Sequence, residues 1–299
     1  MAVVFDDIYR GKSVMVTGAY GFKGTWLSRW LEKLGADVTM YGHAPRHMEG
    51  SHYALLGGGP VHGSDMLDYG NLENAIACNR PEVIFHLAAK ALVIEGFQAP
   101  RMTFENNIMA ATNLLDICKK YSFIKGVVLI TTDKVYTDRN WAWGYRENDA
   151  LGGEDPYSAS KVAVEHIAEC YRKNFFPMIA VARAGNVIGG GDWSSYRLIP
   201  DIVKAASAGH EVEINTPNAT RPWQHVLEPL SGYLALGQKL LEGQEKYASI
   251  WNFGPTGDLT VMQVLEIAQA SWNKIRYRIV EKERHKGMVN LLKIDSTLA

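Results

Sequence analysis

Ser13 to Thr17 is a short β-rich run that passes directly into Gly18-Ala-Tyr-Gly21-Phe-Lys-Gly24, and an apolar stretch through Leu27, Trp30, Leu31 and Leu34 follows at helical spacing. A strand, a glycine turn and a helix in that order restrict what this chain can become more than any other feature it carries. The spacing lets the strand reverse tightly at Gly18, lets a diphosphate approach the backbone at Gly21, and lets helix and strand pack closely at Gly24. A helix amino end facing the turn favours an anion. Gly18, Gly21, Phe22, Lys23 and Gly24 are therefore candidate dinucleotide-binding residues. The plain alternative is an ordinary strand-to-helix turn, and a position at the first strand favours the ligand.

Further short strand-forming runs, Val38 to Tyr41, Val83 to Leu87, Val127 to Thr131 and Ile179 to Ala182, alternate with amphipathic stretches. That alternation predicts an α/β fold: a Rossmann-type doubly wound parallel sheet with helices on both faces. Phe104, Ile108, Ala111, Leu115 and Cys118 step by four and three, which reads as one apolar helical face. From about residue 185 the character changes. Glycine clusters, Trp193, Pro200, Pro217, Pro222 and Pro229 separate shorter helical stretches, Val226 to Glu242 and Val261 to Ser271, and one strand-like piece, Trp251 to Phe253. The expected organisation is a dinucleotide-binding domain over residues 1–185 and a smaller, mixed α/β carboxyl-terminal substrate lobe over 186–299, with interleaved boundaries and a cleft between them.

Composition narrows the function classes. Lys and Arg number 31 against 32 Asp and Glu, a net charge of −1, so no basic excess points to nucleic acid or an anionic membrane. Cys78, Cys118 and Cys170 are odd in number and lack metal-ligand spacing, which reads as reduced cytosolic thiols and no metal. The first residues are too acidic and too briefly apolar for a signal peptide, and no stretch approaches the roughly 20 apolar residues that span a bilayer. The expectation is a soluble, cytoplasmic protein.

An acid about twenty residues past the glycine turn would hold the adenosine ribose, yet Val38 to His43 offers none, so this strand leaves the choice of dinucleotide open. Arg46 would suit a 2′-phosphate or simply be solvated. Asp65, beside Met66, would meet the adenine amino group or cap a helix near Tyr69. Further on, Asp155 and Pro156 form a helix start, which places Tyr157 and Lys161, four apart, on one face. A lysine ammonium there favours phenolate, and a phenolate can take a proton from a sugar or alcohol hydroxyl. A strand ends at Thr132, Asp133 and Lys134, at the carboxyl edge where open α/β sheets place ligands. Thr132 would bond the same hydroxyl; Asp133 and Lys134 are an adjacent acid and base, or a solvated turn pair. Asn107, on its helix's apolar face, would satisfy backbone groups and order water near Lys161.

The glycine turn, His86-Leu87-Ala88-Ala89 and Tyr157-x-x-x-Lys161 resemble the extended short-chain dehydrogenase/reductase superfamily. Longer strings, among them Gly21 to Trp26, Thr132 to Tyr136, Asn140 to Tyr145, Gly189 to Trp193, Arg221 to His225 and Trp251 to Gly254, are similar to its nucleotide-sugar 4,6-dehydratases over about residues 6 to 296. Most of those carry Asp-Glu at the strand edge; the members acting on CDP-glucose carry Asp-Lys, as here. The resemblance implies an NAD cofactor held also by Leu87, Ala88 and Ala89, Tyr157 acting on the 4-hydroxyl, Asp133 as acid and Lys134 as base, its pKa depressed by burial near Lys161. It further implies a nucleotide-sugar substrate met by Asn186, Arg197, Arg221 and His285, a homo-oligomer (a dimer or a dimer of dimers), and a place in deoxysugar biosynthesis of the kind that feeds lipopolysaccharide O-antigen. This chain departs from the family strings at Lys90, Ala91 and Ile94 and at Lys286 and Gly287, and ends before the closing segment of its relatives. Two other readings share the motifs: a nucleotide-sugar 4-epimerase, which has no need of Asp133 and Lys134, and a non-catalytic dinucleotide or nucleotide-sugar binding protein.

Overall fold

A computed structural model describes residues 4–44, 51–58, 64–280 and 291–299. The first half runs β1 (Ser13–Thr17), α1 (Phe22–Lys33), β2 (Asp37–Tyr41), α2 (His52–Leu55), α3 (Tyr69–Asn79), β3 (Val83–His86), α4 (Val93–Gln98), α5 (Pro100–Phe104), α6 (Ala110–Cys118) and β4 (Gly126–Ile130). It continues with α7 (Pro156–Asn174), β5 (Ile179–Ala184), β6 (Asn186–Ile188), α8 (Leu198–Ser207), β7 (Glu211–Ile214), β8 (Thr220–Arg221) and β9 (Trp223–His225). The last elements are α9 (Leu227–Leu241), β10 (Ile250–Phe253), β11 (Leu259–Thr260), α10 (Val261–Ser271) and β12 (Arg276–Ile279).

Six parallel strands form the central sheet in the order β10-β5-β4-β3-β1-β2. Side chains alternate across it, as the two-residue period of a strand requires. Val14 and Val16, Phe85, Val128 and Ile130 enter one core with Leu27 and Leu31 of α1 and Leu230 and Leu234 of α9. Met15, Ile84, Val127 and Leu129 enter the opposite core with α3, α6 and α7. Burial on both faces is why these strands read as nearly unbroken apolar runs. Strand order reverses between β1 and β3, so the glycine turn after β1 and residues 87–89 after β3 flank one crevice at the carboxyl edge.

Trp251 to Phe253, expected in the carboxyl-terminal lobe, instead lies in β10, the sheet's edge strand, parallel to β5. The helix preceding it, α9, likewise covers the central sheet. A separate apolar cluster joins α8, β7 and α10 through Ile202, Ile214 and Leu265.

The helical face predicted from Phe104 to Cys118 is also revised. A π-helical turn at Glu105–Met109 inserts an extra residue per turn, so Phe104 is exposed while Thr103 and Asn107 face inward. Beyond it Ala111, Leu115 and Cys118 are buried as the spacing predicts.

Candidate active site

At the turn after β1, Gly18 has φ +68°, and a Cβ there would stand 2.7 Å from the Ala88 nitrogen. A Cβ on Gly24 would fall 2.1 Å from the Gly18 carbonyl oxygen. Neither position tolerates a side chain without moving backbone. Gly21, exposed, is the N-cap of α1; no side chain caps that helix and no acidic residue stands in its first turn. Its amino end is therefore a ready anion site, which fits a dinucleotide diphosphate. Leu87 and Ala88 close the other wall, their amides donating to the Thr17 carbonyl and, at 3.4 Å, to Thr17 Oγ1.

Asp65 does not cap the helix near Tyr69. Asp68 does, accepting from the Asn71 amide at 3.0 Å, while Asp65 accepts from Leu67 in a local turn and lies 3.8 Å from His43. Met66 is buried, its carbonyl held by Asn113. Arg46 and His285 lie outside the described residues.

Tyr157 and Lys161 are positioned by the start of α7. Asp155 Oδ1 accepts from the Tyr157 and Ser158 amides at 2.9 and 3.0 Å, the reciprocal Ser158 bond completes a capping box, and Pro156 occupies the first turn. Both side chains are buried. Burial pushes the Tyr157 phenol up to about 12, while a hydrogen bond with Thr132 and the Arg197 charge pull the other way. Lys161 is not the group that lowers it: its ammonium donates to the Ile130 carbonyl at 3.0 Å. Burial brings Lys161 down to about 8, opposed by Glu165 one turn along.

Thr132 follows β4 as the extended N-cap of a single 3-10 turn, Asp133–Val135, with Thr132 Oγ1 donating to Asp133 Oδ1 at 3.1 Å and accepting from the Lys134 amide. Asp133 is buried and its Oδ2 has no partner, a carboxylate with one oxygen left over. Burial raises its pKa to about 6 against the pull of Lys134, Thr132 and Arg221. Lys134 is lowered, first by burial and also by Arg221, with Asp155 and Asp133 opposing. The depression expected of a lysine base is thus present, with Arg221 rather than Lys161 as the contributing cation. Asn107 meets the expectation of a buried amide: Oδ1 accepts from Lys90 N at 2.7 Å, and Nδ2 donates to Lys90 O and to Ser160 Oγ. Asn107 thus engages the Lys90 backbone and not its side chain.

These groups open into one cavity of about 1000 Å³ lined from both halves of the chain, by Lys23, Thr132, Asp133, Lys134 and Tyr157 and, facing them, Asn186, Arg197 and Arg221. Arg197 pairs with Asp192 at 2.9 Å, and Arg221 is held by the Thr220 carbonyl. Among the described residues no group of three or more His, Cys, Asp or Glu side chains could hold a metal ion, and no helix is long and apolar enough to cross a membrane.

Two residues escaped the sequence reading. Arg183, near the carboxyl end of β5, and Glu165, four residues past Lys161, form a fully buried ion pair; Glu165 also accepts from Thr131 Oγ1 at 2.6 Å, and Arg183 donates to Tyr136 Oη at 2.7 Å. A guanidinium inside an apolar strand was the available signal, since such a charge is buried only when paired.

The NAD dependent epimerase/dehydratase family matches residues 14–254, spanning the glycine turn, the Tyr157 helix and β10. The chain belongs to this family. Within it, the chain is 41% identical over 310 aligned residues, covering 99% of itself and 86% of the relative, to a CDP-glucose 4,6-dehydratase of Salmonella typhimurium. Among solved structures it resembles a UDP-glucose 4-epimerase of Thermotoga maritima, with TM-score 0.83, 22% identity and coverage of 96% and 90% of the two chains. A dTDP-glucose 4,6-dehydratase of Bacillus anthracis, solved with NAD, gives TM-score 0.77, 20% identity and coverage of 96% and 89%. These two share the fold. For this family member, the uncapped glycine turn suits the NAD of the family's description.

The raised Asp133 carboxyl has a cost to the fold. Its folded value, about 6, lies above the ordinary 3.8, so the ionised form is disfavoured by folding. Stability is therefore full below about pH 3.8 and is lost as pH rises through 6. At pH 8, Asp133→Asn should be more stable than the parent by on the order of 2 kcal/mol, and the gap should close near pH 4. Thermal unfolding at both pH values measures it; equal or lower stability of the variant at pH 8 would contradict the electrostatic account.

Proposed function

We propose that the chain is an NAD-dependent 4,6-dehydratase of CDP-glucose, forming CDP-4-keto-6-deoxyglucose and water. The observation that carries this reading is the pair Asp133 and Lys134, an orphaned buried carboxyl and a depressed ammonium in the same cavity as Tyr157. The 41% identity to a CDP-glucose 4,6-dehydratase supports it.

When bound, NAD supplies a hydride acceptor and donor, so that carbon 4 is oxidised and carbon 6 reduced with no net redox change. Tyr157 takes the proton of the 4-hydroxyl, with Thr132 holding that oxygen. A ketone at carbon 4 acidifies the carbon 5 proton, which Lys134 removes in its neutral form and returns to carbon 5 once carbon 6 has been reduced. Asp133, protonated more readily than an ordinary carboxyl, delivers a proton to the departing 6-hydroxyl. Asn186, Arg197 and Arg221 hold the diphosphate and nucleotide, planar guanidinium groups matching phosphate oxygens. Asp65 and Met66 line the adenine end of the cofactor, and residues 1–185 and 186–299, interleaved where α9 and β10 join the central sheet, serve as cofactor and substrate portions. A homo-oligomer is supported by the exposed Met102, Phe104 and Met109 along the 93–118 helical segment, and a cytoplasmic setting suits a nucleotide-sugar substrate.

The test is a panel of NDP-glucoses incubated with the purified chain and NAD. CDP-glucose should give a product one water lighter, at the highest rate of the panel; an isomer of unchanged mass would point to epimerisation instead.

A further inference from the structure

Lys23 lies within the glycine turn, where a lysine would ordinarily extend to solvent or to a phosphate. Its side chain turns inward instead. The ammonium donates at 3.4 Å to Tyr233 Oη on α9, lies 5.6 Å from that ring's centre, and lines the cavity beside Thr132, Asp133 and Tyr157. Among the described residues no carboxylate reaches it within ion-pair distance. Burial, and after it the nearby Arg197 and Lys161 charges, bring it down to about 7, with Asp133 opposing them more weakly. Lys23 is thus a third ammonium in the active centre, next to Lys134 and Lys161, without a counter-ion of its own.

Tyr157 can deprotonate a hydroxyl only if the carbon bearing it, and hence the ring that receives hydride from that carbon, lies in this same space. The nicotinamide ring carries one positive charge when oxidised and none after accepting a hydride, two electrons and one proton taken from carbon; returning the hydride restores the charge. We propose that Lys23 is a positioning residue for the redox balance, its ammonium opposing the oxidised ring and so making the bound cofactor a stronger hydride acceptor. Oxidising an alcohol carbon with NAD runs uphill in solution, and a cation here favours that first half-reaction. This inference rests on the NAD-dependent reading above.

Binding without sugar tests it. Dissociation constants for oxidised and reduced NAD are measured on the parent and on Lys23→Met and Lys23→Arg. At pH 6, below the value of about 7 to which Lys23 is brought and where its ammonium is largely protonated, Lys23→Met should tighten the oxidised form by about tenfold and leave the reduced form nearly unchanged, a fall of about 30 mV in the potential of the bound couple. Lys23→Arg, which keeps the charge, should retain the parent ratio. Should Met prevent folding, Lys23→Gln, which keeps a polar group for Tyr233, replaces it with the same expectation. Equal weakening of both forms would make Lys23 a diphosphate anchor and overturn the proposal, as would an unchanged ratio. Failure of the parent to bind either form would overturn the NAD reading itself.

Discussion

Tyr157→Phe is expected to lower kcat by roughly 10²- to 10⁴-fold, the range typical of a lost general base, and to leave NAD affinity within about a few-fold. The ring is buried against the cavity wall, and the backbone that carries it is fixed by the Asp155 and Ser158 capping box, which the phenolic oxygen does not join. Phenylalanine preserves that packing and removes only the ionisable oxygen and its bond with Thr132. The loss should therefore fall on kcat rather than KM. Steady-state kinetics and calorimetry distinguish the two; turnover at the parent rate would remove Tyr157 from the mechanism.

The second large effect concerns the point at which catalysis stops. Asp133→Asn combined with Lys134→Met removes the proton donor for the 6-hydroxyl and the base for carbon 5, and spares Tyr157, Thr132 and Lys161. Oxidation at carbon 4 should still occur, so reduced cofactor should accumulate when CDP-glucose is added, seen as an absorbance rise in stopped flow that does not decay. Product formation should fall by at least about 10²-fold, as expected when general acid and base are both lost. Product at an undiminished rate would exclude a dehydrating role for the pair. Absence of any reduced cofactor would instead mean that the pair acts in the first half-reaction.

Legibility in the sequence followed the range of the forces involved. The β1 turn, the five strand runs and the Asp155 helix start are local, set by glycine geometry, short β-branched apolar runs and capping chemistry, and each stands where the spacing put it. The π-helical turn at Glu105–Met109 is stabilised by what Asn107 meets across the fold, Lys90 and Ser160, so helical periodicity alone rotated Phe104 inward. The strand β10 was readable as a strand but not as a member of the central sheet, because its partner β5 lies some seventy residues earlier. Asp65 and Asp68 are three residues apart in a chain that offers either as a cap, and only the backbone conformation decides between them. Charge environments were the least legible. The cations acting on Tyr157 and Lys134 are Arg197 and Arg221, both from the second half of the chain, and no spacing rule connects them to residues 132–161.

The most direct measurement follows a label. With NAD and CDP-glucose carrying deuterium at carbon 4, the account predicts a product one water lighter with the deuterium at carbon 6, because the hydride removed beside Tyr157 is returned within the same site after the 6-hydroxyl has left. Deuterium remaining at carbon 4 of a sugar that has lost no water would contradict it.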